Sequence, residues 1–118
     1  MKTILIIDDQ KDDLTSMSQI ITREGYIVIT ANDGTEALEK LGKNQVDLII
    51  MDIMMPTISG YDLLRILNEK IHNKIPVIFV SIKPEKEVDI TNVDGFVQKP
   101  FAPIHLIDQV GKAIEKYN

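Results

Sequence analysis

The segment IIMDIMMPTISGYDLL, residues 49–64, carries a charge at the end of an apolar run, and residues that break regular secondary structure follow. The apolar run, Val46 to Met51, is followed by Asp52, and Pro56 and the Ser59–Gly60 pair come before the next apolar residues. Apolar runs with little polar alternation are typical of strands buried on both faces, as in parallel sheets. The segment therefore predicts a buried strand with Asp52 at its carboxyl end, then a turn and a helix.

The same unit of a short apolar run and an amphipathic segment recurs along the chain. The other apolar runs are Ile4 to Ile7, Ile27 to Ile29, Val77 to Val80, and Phe96 with Val97. Helical period is found for Leu14, Met17, Ile20 and Ile21, for Ala37, Leu38 and Leu41, for Leu63, Leu64, Leu67 and Ile71, and for Ile104, Ile107, Val110 and Ile114. This alternation predicts an α/β fold, a doubly wound (βα)5 flavodoxin-like domain with a parallel five-stranded sheet of order 2-1-3-4-5.

Size and composition exclude several classes of protein. A chain of 118 residues predicts one domain. Its 13 basic and 18 acidic residues give a net charge of −5 without a basic stripe, so we expect no direct binding to nucleic acid. The absence of cysteine excludes disulfides and thiolate metal sites. The apolar runs are too short for a membrane span or a signal peptide, and we expect a cytoplasmic chain that does not bind membranes.

Polar residues follow the predicted strands at the edge where such sheets have their functional crevice. They are Asp8, Asp9, Asp52, Ser81 and Lys99. Because neighbouring strands are about 4.8 Å apart, the three aspartates are expected to share one pocket. Like charges about 5 Å apart repel by roughly 3 kcal/mol per pair at an effective dielectric constant near 20. Such a pocket therefore needs positive charge.

Lys99 supplies one positive charge, and with three carboxylates a formal charge of −2 remains. A divalent cation on oxygen ligands would neutralise it, and Mg2+ suits a site with few carboxylates that also accepts a phosphoryl oxygen. A carboxylate beside a metal and a lysine is a good phosphoryl acceptor, because both cations stabilise charge on the transferred group.

Three segments together resemble the receiver domains of response regulators from two-component phosphorelays. They are ILIIDDQ (residues 4–10), LIIMDIMMPTISGYDLL (residues 48–64) and FVQKPF (residues 96–101). The resemblance covers essentially the whole chain, and implies that residues 1–118 form one receiver domain with no output domain in this chain. It implies that Asp52 accepts a phosphoryl group from a sensor histidine kinase or a phosphotransfer protein.

The resemblance also implies a set of metal ligands. Asp9 and Asp52 would bind Mg2+ directly, with Mn2+ as an alternative ion, and Asp8 would act through a bound water. The backbone carbonyl of Met54 would be a further ligand, and Lys99 would contact the phosphoryl oxygens.

Ser81 and Phe96 match the switch positions of the family. Ser81 would hydrogen-bond the phosphoryl group, and the Phe96 ring would move into the space that Ser81 vacates. The Lys99–Pro100 bond is expected to be cis, since X-Pro bonds tolerate that isomer at low cost. The surface of the fourth helix, fifth strand and fifth helix would then change and control a downstream effector protein in trans, with the chain a monomer or a weak homodimer.

Two features depart from the family pattern. From Ser81 to Lys99 the chain is shorter than typical receivers by about four residues, about one turn of helix. Val88 and Ile90 are also weak helix formers, which predicts a shortened or irregular fourth helix of at most two turns and questions the usual dimer mode. Ile82 stands where the family usually has a small residue beside the acceptor, and our hypothesis is slower reaction with small phosphodonors.

Two other functions compete with a signalling switch. A Mg-dependent aspartyl phosphohydrolase would also use a carboxylate nucleophile after a strand, but it needs a second acid at the position of Met54. A pseudo-receiver would bind partners without phosphorylation, which the complete acidic set disfavours. We expect no enzyme activity beyond the chain's own Mg-dependent phosphorylation and dephosphorylation.

Several polar residues are assigned no function. We predict that Asp12, Asp13 and Glu24 are solvated charges on a helix surface. His72 and His105 have no partner at the spacing of metal ligands.

Overall fold

The computed structural model describes residues 1–71 and 74–117, which form one parallel sheet of five strands with the order β2-β1-β3-β4-β5. The strands are β1 (Thr3–Ile7), β2 (Ile27–Ala31), β3 (Leu48–Asp52), β4 (Val77–Ser81) and β5 (Gly95–Gln98). The helices are α1 (Lys11–Arg23), α2 (Gly34–Lys43), α3 (Gly60–Lys70) and α4 (Pro103–Lys116). The predicted doubly wound fold and strand order are confirmed. His72 lies outside the described residues.

Helices cover both faces of the sheet, because successive strand residues point to opposite sides. Leu5 and Ile49 belong to one core with apolar residues of α2 and α3. Ile4 and Ile50 belong to a second core with apolar residues of α1 and α4. The central strands β1, β3 and β4 are therefore apolar on both faces, and their polar residues are confined to the strand ends.

The predicted fourth helix is reduced to one 3-10 turn, Glu85–Glu87, so α4 is the predicted fifth helix. This confirms a shortened helix in the β4–β5 connection, which we define as residues 82–94. The connection is anchored by partly buried apolar side chains that pack against the core, Val88, Ile90 and Val93. It is also anchored by a hydrogen bond of 2.9 Å from the backbone N–H of Asp89 to the Tyr61 hydroxyl oxygen.

The turn after β3 explains why the strand ends at Asp52. Ser59 caps α3, since its hydroxyl oxygen accepts a 3.1 Å hydrogen bond from the backbone N–H of Asp62. A Cβ on Gly60 would lie 2.7 Å from Cα of Ile53, so only glycine lets α3 begin this close to the end of β3. Thr57 has a φ of +70°, a strained conformation for a β-branched residue. The loop thus folds back tightly and fixes the backbone next to Asp52.

Within the part of the chain that the structure describes, no helix combines the length and the apolar character needed to cross a membrane.

Candidate functional site

Buried polar side chains mark one edge of the sheet. Among residues 1–71 and 74–117, four residues with polar or charged side chains are buried: Asp8 (0% exposed), Asp52 (5%), Ser81 (0%) and Lys99 (8%). Asp8 and Lys99 directly follow β1 and the end of β5, and the other two end β3 and β4. Burying charge is costly unless the group is paired or hydrogen-bonded. Because all four lie at the same edge of the sheet, they indicate a functional site there.

Three of these side chains are each oriented by a local turn of the same type. Asp8 Oδ1, Asp52 Oδ1 and Ser81 Oγ each accept a hydrogen bond from the backbone N–H two residues later, at 2.8, 3.1 and 3.1 Å. Short polar side chains favour this turn where a strand ends. It uses one oxygen of each aspartate, so the Oδ2 atoms of Asp8 and Asp52 remain for other partners.

Lys99 joins those remaining oxygens. Its Nζ lies 2.8 Å from Asp8 Oδ2 and 3.2 Å from Asp52 Oδ2, the latter with hydrogen-bond geometry. Its backbone N–H donates to the carbonyl of Ser81 at 2.7 Å, which holds the lysine at the end of β5. The Lys99–Pro100 peptide bond is cis.

A third carboxylate contacts the same ammonium: Asp13 Oδ2 lies 2.9 Å from Lys99 Nζ. The prediction that Asp13 is a solvated surface charge was therefore wrong. The residue lies in the first turn of α1, just after the end of β1, and its side chain is 38% exposed. Helical period alone assigned it to the polar face, but the helix begins directly beside the site. Asp9 precedes α1, so helical spacing from the acidic pair could not have identified this contact.

Asp9 completes a group that can hold a metal ion. One carboxylate oxygen from each of Asp8, Asp9 and Asp52 lies within 4.8 Å of the other two. From residues 1–71 and 74–117, the buried oxygens Asp8 Oδ2 and Asp9 Oδ1 accept no hydrogen bond, although Asp8 Oδ2 has the charge contact with Lys99. Carboxylate oxygens with unused acceptor capacity are the ligands that Mg2+ prefers. The residues present therefore fit a hard divalent cation.

The electrostatics of the cluster are set by burial and by the charge of Lys99. Burial raises the pKa of Asp52 to about 6, with Lys99 opposing this rise and the charge of Asp8 adding to it. Burial lowers the pKa of Lys99, but contacts with Asp8 and Asp13 and the charge of Asp52 raise it above its ordinary value. At neutral pH the lysine is thus charged and Asp52 is ionised at a cost in free energy.

A cleft of about 530 Å³ lies beside the cluster. Asp9, Met54, Ser81, Lys83 and Tyr61 contribute to its lining. Met54 is 50% exposed, and its backbone N–H donates to Asp52 Oδ1. The cleft therefore reaches Asp9 and Ser81 of the cluster.

The remaining predicted residues lie near the cluster. Phe96 is 6% exposed and packs in the core that also contains Phe79. Ile82 is 66% exposed and follows Ser81 directly. His105 and Asp12 are exposed on the surface.

A family model described as the response regulator receiver domain matches residues 4–111. The chain belongs to this family. The receiver domain is similar to the response regulator GtcR of Aneurinibacillus migulanus, with 35% identity over 92% of this chain and 46% of the relative. It is also similar to the response regulator SaeR of Staphylococcus epidermidis, with 36% identity over 91% of this chain and 48% of the relative.

Solved structures show the same likeness. The receiver domain of a Francisella response regulator has a TM-score of 0.89 and 30% identity, with each chain fully covered. TrrA of Thermotoga maritima, in complex with Mg2+ and BeF, has a TM-score of 0.86 and 30% identity over 96% of this chain and 99% of that one.

The resemblance to receiver domains that the three sequence segments indicated is therefore confirmed. The receiver domain spans about half the length of the curated relatives it matches. Membership in the family implies phosphorylation-dependent signalling. Receiver domains bind Mg2+ at an acidic cluster, and response regulators are phosphorylated by histidine kinases and act on effectors.

Proposed function

We propose that this receiver domain is a signalling switch in which Asp52 accepts a phosphoryl group from a sensor histidine kinase or a phosphotransfer protein. One observation carries the proposal: the Asp52 carboxylate ends a buried strand, with the Lys99 ammonium 3.2 Å away and two further carboxylates within 4.8 Å. Such a donor would place the domain in the cytoplasm.

In the reaction, a carboxylate oxygen of Asp52 forms a bond to phosphorus as the bond from phosphorus to the donor breaks. The hydrogen bond from the Met54 N–H and the contact with Lys99 hold both oxygens of Asp52 in place for this step. Lys99 donates to the phosphoryl oxygens, where it stabilises developing negative charge. These contacts are made in a buried site, where they are stronger than in water.

Asp9 and Asp52 would hold a Mg2+ ion directly, with Mn2+ as a substitute, while Asp8 would act through a water and Met54 through its carbonyl. Bound there, the ion supplies positive charge that offsets the repulsion among the carboxylates and the incoming phosphoryl group.

Ser81 and Phe96 would convert phosphorylation into a change of surface. The Ser81 hydroxyl accepts from a backbone N–H, so its own hydrogen remains available to donate to a phosphoryl oxygen. Phe96 is already buried, so its part in the switch would be repacking within the core. The changed surface would be the β4–β5 connection, β5 and α4, and its reader a downstream effector protein in trans. The domain itself would act as a monomer or a weak homodimer.

The experiment is incubation with acetyl phosphate and Mg2+ followed by intact mass spectrometry. We expect one persistent phosphoryl adduct on the wild type, none on Asp52→Asn, and none when EDTA replaces Mg2+. Asp108→Asn, on the exposed face of α4, is the matched control and keeps the adduct. Rapid turnover of acetyl phosphate without an adduct would indicate a phosphohydrolase, and no reaction at all would indicate a binding module; either result refutes the switch. We assign the chain no reaction beyond its own phosphorylation and dephosphorylation.

A further inference from the structure

The contact between Asp13 and Lys99 is not used by the proposed phosphotransfer. Asp13 Oδ2 lies 2.9 Å from Lys99 Nζ, as close as Asp8 Oδ2 at 2.8 Å and closer than Asp52 Oδ2 at 3.2 Å. The group of aspartates whose oxygens meet within 4.8 Å does not include Asp13. Any effect of Asp13 on the site therefore passes through its contact with Lys99.

The lysine has limited donor capacity. An ammonium carries three N–H donors, and three carboxylate oxygens already lie around Nζ. A phosphoryl group on Asp52 would bring three further strong acceptor oxygens. Lys99 can turn its donors to those oxygens only by weakening its contact with a present partner.

Exposure decides which partner is exchanged. The side chain of Asp8 is fully buried, and that of Asp52 is 7% exposed and becomes the site of phosphorylation. The side chain of Asp13 is 38% exposed. Because a carboxylate that water can reach is rehydrated when it loses its ion pair, Asp13 is the partner that Lys99 gives up at the lowest cost.

We propose that Asp13 is a positioning residue that shares the Lys99 ammonium before phosphorylation, competes for it with the incoming phosphoryl group and so slows modification of Asp52. This inference rests on the proposed phosphoacceptor function. Removing the Asp13 charge leaves Lys99 with the two buried aspartates alone and makes it more available to the transferred group. We expect Asp13→Asn to be phosphorylated about fivefold faster, which corresponds to about 1 kcal/mol at 1.4 kcal/mol per tenfold change.

The neighbouring residue provides a matched control. Asp12 lies in the same first turn of α1, is exposed, and makes none of the ion pairs found among residues 1–71 and 74–117. Asp12→Asn removes the same charge at almost the same place, so it reproduces any general reduction in repulsion of an anionic donor. Initial rates with acetyl phosphate and Mg2+ are measured for the wild type, Asp13→Asn and Asp12→Asn. Asp13→Asn should be the only one of the two variants with a fivefold acceleration, and equal effects would overturn the proposal.

A second measurement separates positioning from a structural effect on the fold. In metal-free protein, the NMR resonances of the Lys99 side chain should move in Asp13→Asn and stay unchanged in Asp12→Asn. Unchanged Lys99 resonances in Asp13→Asn would refute the shared contact. The two proposals also fail differently: a wild type that forms no adduct refutes the phosphoacceptor function, whereas a normal adduct with an unchanged Asp13→Asn rate refutes only the role of Asp13.

Discussion

Replacing Asp52 with asparagine should stabilise the metal-free receiver domain at neutral pH. Asp52 is 5% exposed, and burial raises the pKa of its carboxyl group from 3.8 to about 6. A raised pKa means that the folded state disfavours the ionised form. Asp52→Asn keeps the shape of the side chain and removes the charge, so the variant avoids this cost.

The magnitude follows from the pKa. A shift from 3.8 to about 6 is about two units, and at about 1.36 kcal/mol per unit the cost of ionising Asp52 in the fold is about 3 kcal/mol. Because the folded pKa lies above the unfolded one, the contribution of Asp52 to stability is fully present below pH 4 and is lost as the pH rises through about 6. We therefore expect Asp52→Asn to exceed the wild type by about 3 kcal/mol at pH 7.5 and by much less near pH 4.

Urea unfolding in EDTA, followed by far-ultraviolet circular dichroism, measures this difference. Circular dichroism is needed because the chain contains no tryptophan. Asp108→Asn is the control, since that side chain is 50% exposed and its change should alter the free energy of unfolding by less than about 0.5 kcal/mol. An Asp52→Asn variant no more stable than the wild type at pH 7.5, or a gain that persists unchanged at pH 4, would refute the account of a strained anionic cluster.

Three further substitutions, with Gly42→Ala as a control for the first, test the surroundings of the site. Gly60→Ala should destabilise the domain by about 1–3 kcal/mol, because the new methyl group meets the backbone of Ile53 at 2.7 Å, whereas Gly42→Ala, with open space around it, should stabilise by about 0.5–1 kcal/mol; urea unfolding compares the two. Tyr61→Phe removes the hydroxyl that anchors the β4–β5 connection, so backbone amide exchange there should accelerate by about tenfold while exchange in β1 stays unchanged. Ile82→Ala should speed phosphorylation by acetyl phosphate, measured as an initial rate, and an unchanged rate would contradict the hypothesis that this branched side chain restricts access.

The fold was predictable because the central strands are apolar on both faces. The pattern was weaker at the sheet edges. Strand β2 was predicted to end at Ile29 but continues to Ala31, since this partly exposed edge strand also contains a threonine. Strand β5 extends one residue beyond the Phe96–Val97 pair on each side, to Gly95 and Gln98.

The site was predictable as far as it depends on strand ends. Parallel strands bring their carboxyl ends to one edge, so the positions of Asp8, Asp52, Ser81 and Lys99 in the sequence already placed them together. Asp13 could not be placed in the same way, because its contact depends on the angle at which α1 leaves β1. The hydrogen bond between Tyr61 and the β4–β5 connection joins residues 28 positions apart and follows no periodic pattern.

The β4–β5 connection presents a different surface from that of a regular helix. A helix offers side chains three and four residues apart as one continuous ridge, whereas a single 3-10 turn followed by irregular chain offers mostly separate side chains and exposed backbone. A protein that binds such a ridge on another receiver would meet a different surface at the β4–β5 connection of this domain. The 3-10 turn Glu85–Glu87 therefore gives this side of the domain a surface of separate side chains where a regular helix would give one ridge.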